Sequence, residues 1–347
     1  MQASGGVNDR SAWLGSDLAK DQSWIVTFTP AELADLDTAL RDVVRKKLPL
    51  EAVDRETFPL PTLAPRLAQV LTEIQQGRGF VLLRGLQVER YSDEEAGIIY
   101  WGVGSHLGTP VRQNVAGDLL GHIRDFGKKW GDLGVRGYET NGHLIFHTDF
   151  SDMVGLLCLR PPKSGGASRI ASSMTVYNEL LRDHPEHIKV LHRGFRYIKR
   201  DAVDTASPVT ENVPVYGRVD DVLSCRIVRE RIDSAYRRIG QPLSPEETAA
   251  LDAFAATAGS PRVCLDMEFR PGDMQFLNNY TVLHSRAAYQ DGELFRERRH
   301  LLRLWLTSHG KRRPLAPGFP QSNGYATVKT GVPVGAVELG LVPAELS

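Results

Sequence analysis

The strongest constraint on this chain is a change of hydrophobic period near Leu107. Beyond that point, short apolar runs alternate with turn-rich loops: GLLCL, GFRYIKR, VLSCRIV, RVCLDMEF, MQFLNN and HLLRLWLT. In RVCLDMEFRPGDMQFLNN, Val263, Leu265, Met267 and Phe269 alternate with polar or small residues, and RPGD supplies a turn before the next run. A period of two sends successive side chains to opposite faces, which is the signature of strands. Many short strands must bury a face against a second layer, so this part predicts a β-sandwich or jelly roll with helices outside it. Helices interrupt the strands around residues 176–191 and at SPEETAALDAFAATA, where Ser244, Pro245 and Glu247 form a capping box.

Before Leu107 the pattern is helical. Thr29 as N-cap, Pro30 at the first position and Glu32 three residues after the cap open one helix. Its apolar stripe is Leu33, Leu36, Leu40, Val43 and Val44. A second helix carries Leu67, Val70, Leu71 and Ile74, and a third opens at Ser92 and Glu95 and runs toward Trp101. Between these two, GFVLLRGL reads as a buried strand bounded by Gly79 and Gly85. The expectation is a mainly β, α+β fold in one domain over residues 1–347. Residues 1–106 form a largely helical flank with one buried strand, 107–310 a jelly-roll core with helical insertions, and 311–347 a loop-rich tail.

Charge narrows the partners. Lys plus Arg number 42 and Asp plus Glu number 42, so nothing favours nucleic acid or an acidic membrane. No apolar run approaches the roughly 20 residues that span a bilayer. MQASGGVNDRSAW lacks the basic start and apolar stretch of a secretory signal. Cys158, Cys225 and Cys264 are odd in number and widely spaced, which suits buried thiols rather than disulfides or a zinc knuckle. A soluble cytoplasmic protein acting on a small molecule is expected, with homo-oligomerisation left open.

LIFHTDFSD places His147 and Asp149 two residues apart after an apolar run. On a strand both would share a face. His284 follows a second strand-like run, in DMQFLNNYTVLHSR. Two histidines and one carboxylate make a facial triad that leaves three positions of an octahedral iron open. A His-x-Asp pair arises often by chance, and zinc accepts the same donors, so the triad alone leaves a zinc hydrolase open. In RERRHLLRLWLT, Arg299, Arg303 and Trp305 fall on one face and His300, Leu302, Leu304 and Leu306 on the other. A guanidinium in so apolar a strand needs an anion, because a stranded buried charge costs several kcal/mol. A bound dicarboxylate suits the arginine fork; an internal salt bridge is the alternative.

The segments FHTD, SGGASRIAS, NNYTVLHSR and RRHLLRLWL occur in the order found in the taurine dioxygenase (TauD/TfdA) family of 2-oxoglutarate-dependent oxygenases, and the chain resembles that family over roughly residues 79–307. The resemblance implies a double-stranded β-helix (jelly roll) fold, Fe(2+) as metal, and 2-oxoglutarate and O2 as co-substrates, with release of succinate and CO2. It places His147, Asp149 and His284 as iron ligands and Arg299 on the distal carboxylate of 2-oxoglutarate. Ser168 falls where a co-substrate-binding threonine is usual. Arg303 matches a position that meets an anionic substrate group in some members; a supporting structural role is the alternative. Hydroxylation is the expected outcome, while related members desaturate, cyclise or cleave bonds. Asp149 argues against halogenation, because halogenating relatives place a small residue there. Asn114, Arg136 and Tyr138, in polar loops, are candidate substrate linings. The taurine enzyme's own substrate pattern finds no match here, so taurine is not implied. A non-catalytic jelly-roll binding protein is the remaining alternative.

Overall fold

The computed structural model describes residues 5–114, 116–127, 140–199, 208–320 and 323–325, and two sheets organise it. The larger sheet orders Ile25–Thr27 (β1), Phe80–Arg84 (β2), Met274–Asn278 (β12), Met153–Arg160 (β6) and His300–Ser308 (β15) side by side. On its far edge β15 pairs with both Gly108–Pro110 (β3) and Leu120–Ile123 (β4). Only the β1–β2 pair is parallel in this sheet. The smaller sheet orders Cys264–Met267 (β11), Ser168–Ser172 (β8), Val282–Arg286 (β13) and Leu144–His147 (β5), all antiparallel. Two hairpin-like pairs stand apart: Tyr216–Val219 (β9) with Val222–Cys225 (β10), and Ser164–Gly165 (β7) with Tyr289–Gln290 (β14).

The predicted alternation decides which residues meet. Phe80, Leu82, Val154, Ile170, Leu265, Met267, Leu277, Val282 and Trp305 form the cluster between the two sheets. The outer face of the larger sheet packs on Pro30–Lys46 (α2), Ala64–Gln76 (α3) and Asp93–Leu107 (α4), through Leu36, Ile74, Tyr100, Leu157, Phe276 and Leu304 among others. Gly155 of β6 permits this approach, since a Cβ there would lie 2.5 Å from the Tyr100 hydroxyl and 2.6 Å from the Phe276 ring. The outer face of the smaller sheet packs on Ser173–Asp183 (α5), Pro185–Arg193 (α6) and Pro245–Gly259 (α8), through Ala171, Val176, Leu191, Phe254 and Leu283. The jelly roll is therefore a sandwich with helices on both outer faces.

The capping boxes expected at Thr29, Ser92 and Ser244 are all present. Other local readings need correction. The helix expected around 176–191 is two helices, broken at His184 (φ −143°, ψ 60°), because Pro185 disfavours helical backbone in the residue before it. The described residues 194–199 of GFRYIKR form no strand; they contribute bridges from Phe195 to Val213 and from Ile198 to Val209. A helix at Arg229–Ile239 (α7) has no counterpart in the sequence reading, since RERIDSAYRRI buries only Ile232 and Ala235 and its stripe is too thin to register. A short helix at Gly15–Leu18 (α1) was equally silent. The three cysteines are free and buried. Among the described residues no helix is long and apolar enough to cross a membrane.

Candidate metal site

β5 and β13 are neighbours in the smaller sheet, and their register sets His147 opposite His284. The two rings lie 4.2 Å apart, centre to centre. Asp149, two residues beyond β5, completes the group: one donor atom from each of the three lies within 4.8 Å of the others. His147 Nδ1 donates to the Ile145 carbonyl at 2.8 Å, since a carbonyl can only accept; its Nε2 is therefore the lone-pair donor. His284 Nε2 faces Asp149 Oδ2 at 3.6 Å, and its Nδ1 is buried without a partner. A mixed imidazole–carboxylate set of this kind fits a divalent transition metal, iron(II) included. His184, Glu186 and His187 also lie close enough to one another for a metal, but at the exposed start of α6.

Neighbours hold the carboxylate in place. Trp305 Nε1 donates to Asp149 Oδ2 at 2.7 Å, and Arg303 Nη1 lies 3.9 Å from the same oxygen. The Asp149 amide donates to Asn279 Oδ1 at 2.9 Å, and Asn279 in turn donates to Ser151. Arg226, fully buried between the rings of Phe150 and Tyr280, donates to the Asp149 carbonyl. Burial alone would raise the Asp149 carboxyl, but Arg303, His284 and His147 outweigh it and hold it well below the usual carboxylate range. Burial, reinforced by His284, pushes His147 down to about 4, so near neutral pH it presents a neutral imidazole.

Two cavities meet at the triad. The smaller, about 60 Å³, is bordered by His147, Asp149, His284, Ser168, Arg286 and Arg299 among others. Arg299 is 4 % exposed, its Nη1 has no partner, and burial depresses its pKa. The residue after it is clamped, because His300 meets His122 and Arg160 at 2.8 Å each. The register of β15 against β6 slips between His300 and Leu301, a bulge that the alternation did not anticipate. Ser168 is buried on β8, opposite Arg286 of β13. The larger cavity, about 560 Å³, opens on the other side of His147, Asp149 and Trp305. Arg303 borders both, with its Nε on Gln113 at 2.7 Å.

Asn114 is engaged in a local turn, donating to Asp118 at 2.5 Å, and does not border either cavity. Arg136 and Tyr138 lie outside the described residues. Trp305, Asn279 and Arg286 escaped the sequence reading as site components. A signal existed for Arg286, since it stands two residues after His284 and so shares its strand face. Replacing Trp305 with phenylalanine is expected to weaken iron(II) binding by about tenfold, because it removes the donor that orients Asp149. Metal titration checks this, and unchanged affinity would show the bond to be idle.

A jelly roll carrying this triad, with a buried arginine on the same cavity, defines the class of non-haem iron oxygenases that use a keto acid. The family model described as taurine catabolism dioxygenase TauD, TfdA family matches residues 45–305. The chain belongs to that family, and it is an iron(II)- and 2-oxoglutarate-dependent dioxygenase. FR-33289 synthase of Streptomyces rubellomurinus is 32 % identical over 320 residues, covering 91 % of this chain and 93 % of the relative. The taurine hydroxylase-like protein SAT17 of Stachybotrys chartarum is 31 % identical over 317 residues, covering 88 % and 80 %. Among solved structures, asparagine oxygenase with Fe(II), 2S,3S-3-hydroxyasparagine and succinate superposes with a TM-score of 0.65 at 18 % identity, covering 82 % of this chain and 93 % of that one. The non-haem iron oxygenase OrfP with Fe and alpha-ketoglutaric acid gives 0.61 at 18 % identity, covering 82 % and 93 %. At such identities these two likenesses carry the fold.

Proposed function

We propose that His147, Asp149 and His284 hold the iron, that Arg299 and Ser168 receive the distal carboxylate of 2-oxoglutarate, and that the larger cavity takes a small anionic substrate. One observation carries the reading: the triad and the buried, incompletely partnered Arg299 border the same small cavity. A zinc hydrolase would leave that arginine without a task. The substrate side is distinctly cationic. Lys199, Arg229, Arg231, Arg237 and Arg303 border the larger cavity, against Glu230, Asp233 and Asp149; Arg229 is paired with Asp233 and Asp252, so the excess rests on Lys199, Arg231 and Arg237. Such a lining favours an anion by Coulomb attraction, strengthened where water is excluded. The names of the two relatives refer to FR-33289 and to taurine, and neither compound is carried over to this chain. Three buried free thiols suit a reducing cytoplasm.

Iron(II) with 2-oxoglutarate and O2 supplies the oxidising chemistry, releasing succinate and CO2 as the substrate is hydroxylated. The chain's own part is positioning. Ile145 fixes the tautomer of His147, Trp305 fixes the carboxylate of Asp149, and Arg303 offsets that carboxylate's charge. Ile145, Phe150, Val228 and Trp305 supply apolar wall to the larger cavity, which limits water beside the metal.

The test has two parts. Anaerobic addition of iron(II) and 2-oxoglutarate to metal-free protein should produce a weak visible charge-transfer band; no band sinks the reading. Small phosphonates, sulfonates and carboxylates should then stimulate succinate formation, while amines of equal size should not. Stimulation by amines alone would overturn the anionic assignment.

A further inference from the structure

Arg286 carries a buried positive charge that the roles above leave unused. It is 4 % exposed, and its Nε and Nη1 have no hydrogen-bond partner. Its Nη2 is spent on the Thr140 carbonyl at 2.8 Å and on the Gly142 carbonyl. Among the described residues neither this guanidinium nor that of Arg299 makes an ion pair; Asp125 and Asp291 attract Arg286, and Asp291 attracts Arg299, only at longer range. The two guanidiniums face the same ring, Tyr289, at 4.8 and 5.1 Å from its centre, and both border the small cavity. Asp291 does not settle the account: one of its oxygens accepts the Arg299 backbone amide at 2.7 Å, and the other is buried without a partner.

Two neighbouring buried cations with unpaired N–H groups repel each other and are expensive unless an anion joins them. Strand geometry aims Arg286 correctly. It follows His284 by two residues on β13, hence on the same inward face, and pairs across the sheet with Ser168. We propose that Arg286 is a second cation for the distal carboxylate of 2-oxoglutarate, closing a three-sided seat with Arg299 and Ser168. The inference rests on the co-substrate reading given above. It adds a consequence that Arg299 does not share. Through the Thr140 and Gly142 carbonyls, Arg286 ties the occupied seat to the segment leading into β5 and His147.

Affinity rather than turnover tests this. Dissociation constants of 2-oxoglutarate and of 2-oxopentanoate, which has the same chain length but no distal carboxylate, are measured anaerobically on the iron(II) protein. The wild type should prefer the dicarboxylate strongly. Arg286→Gln should cut that preference by about tenfold or more, as expected when one charge-assisted hydrogen bond is lost. Binding of 2-oxopentanoate should scarcely change. If Arg286 only supports the fold, both acids weaken together and the ratio stays at the wild-type value, which overturns the proposal. Should the Gln variant be insoluble, Arg286→Met keeps the volume without the charge, and the same ratio decides. Arg299→Gln separates the two readings. A preserved ratio there defeats the co-substrate seat as a whole, whereas loss of the ratio in Arg299→Gln but not in Arg286→Gln defeats only the role of Arg286.

Discussion

A His147→Ala variant is expected to lose the iron(II)–2-oxoglutarate charge-transfer band and substrate-driven succinate formation together. Outer contacts to a metal ligand typically cost about 10- to 100-fold in affinity or activity, so removal of a ligand itself should exceed 100-fold. The geometry makes compensation difficult. His147 sits opposite His284 in the β5–β13 register, and its Nδ1 is already committed to Ile145. No other histidine borders either cavity at the triad except His143, four residues earlier and on the larger cavity only. Folding should survive, because the methyl group of alanine is acceptable on a half-buried strand end. Iron titration with a circular dichroism control checks both halves; a full band in the variant would remove His147 from the ligand set.

The second large effect concerns Arg299. Glutamine at this position should raise the dissociation constant of 2-oxoglutarate by more than about 100-fold, since a bidentate charge-assisted pair is worth roughly two bonds of 1.5–3 kcal/mol. Maximal turnover at saturating co-substrate should fall far less. The accompanying sign is informative. In the ligand-free protein Arg299 is a buried cation with an unpaired nitrogen, so its neutral replacement should not lower the melting temperature. A lowered melting temperature with unchanged co-substrate affinity would instead make Arg299 half of an internal ion pair.

The legibility of this chain followed the length scale of each cause. Capping boxes at Thr29, Ser92 and Ser244 act within four residues and were plain in the sequence. The alternation of Leu265, Met267 and Phe269 was plain too, since these pack between the sheets while Asp266 and Glu268 are exposed; Val263, just before the strand, packs instead in the cluster under the outer helices. The helix at Arg229–Ile239 was not plain, because only two of its residues are buried and charge dominates the rest. Yet that helix supplies much of the cationic wall of the larger cavity. The break at His184 shows a local signal, Pro185, overriding an apolar pattern that read as continuous.

The amino-acid sequence by itself determined the sandwich, the donor types of the triad and the arginine two strands further on, because periodicity and residue chemistry are local properties. Only the tertiary structure decided that His147 and His284 face each other, that Trp305 holds Asp149, and that Arg286 shares a cavity with Arg299. Those relations depend on strand order and register, and partners more than a hundred residues apart, such as Asp149 and Trp305, meet only when the two sheets close on one another.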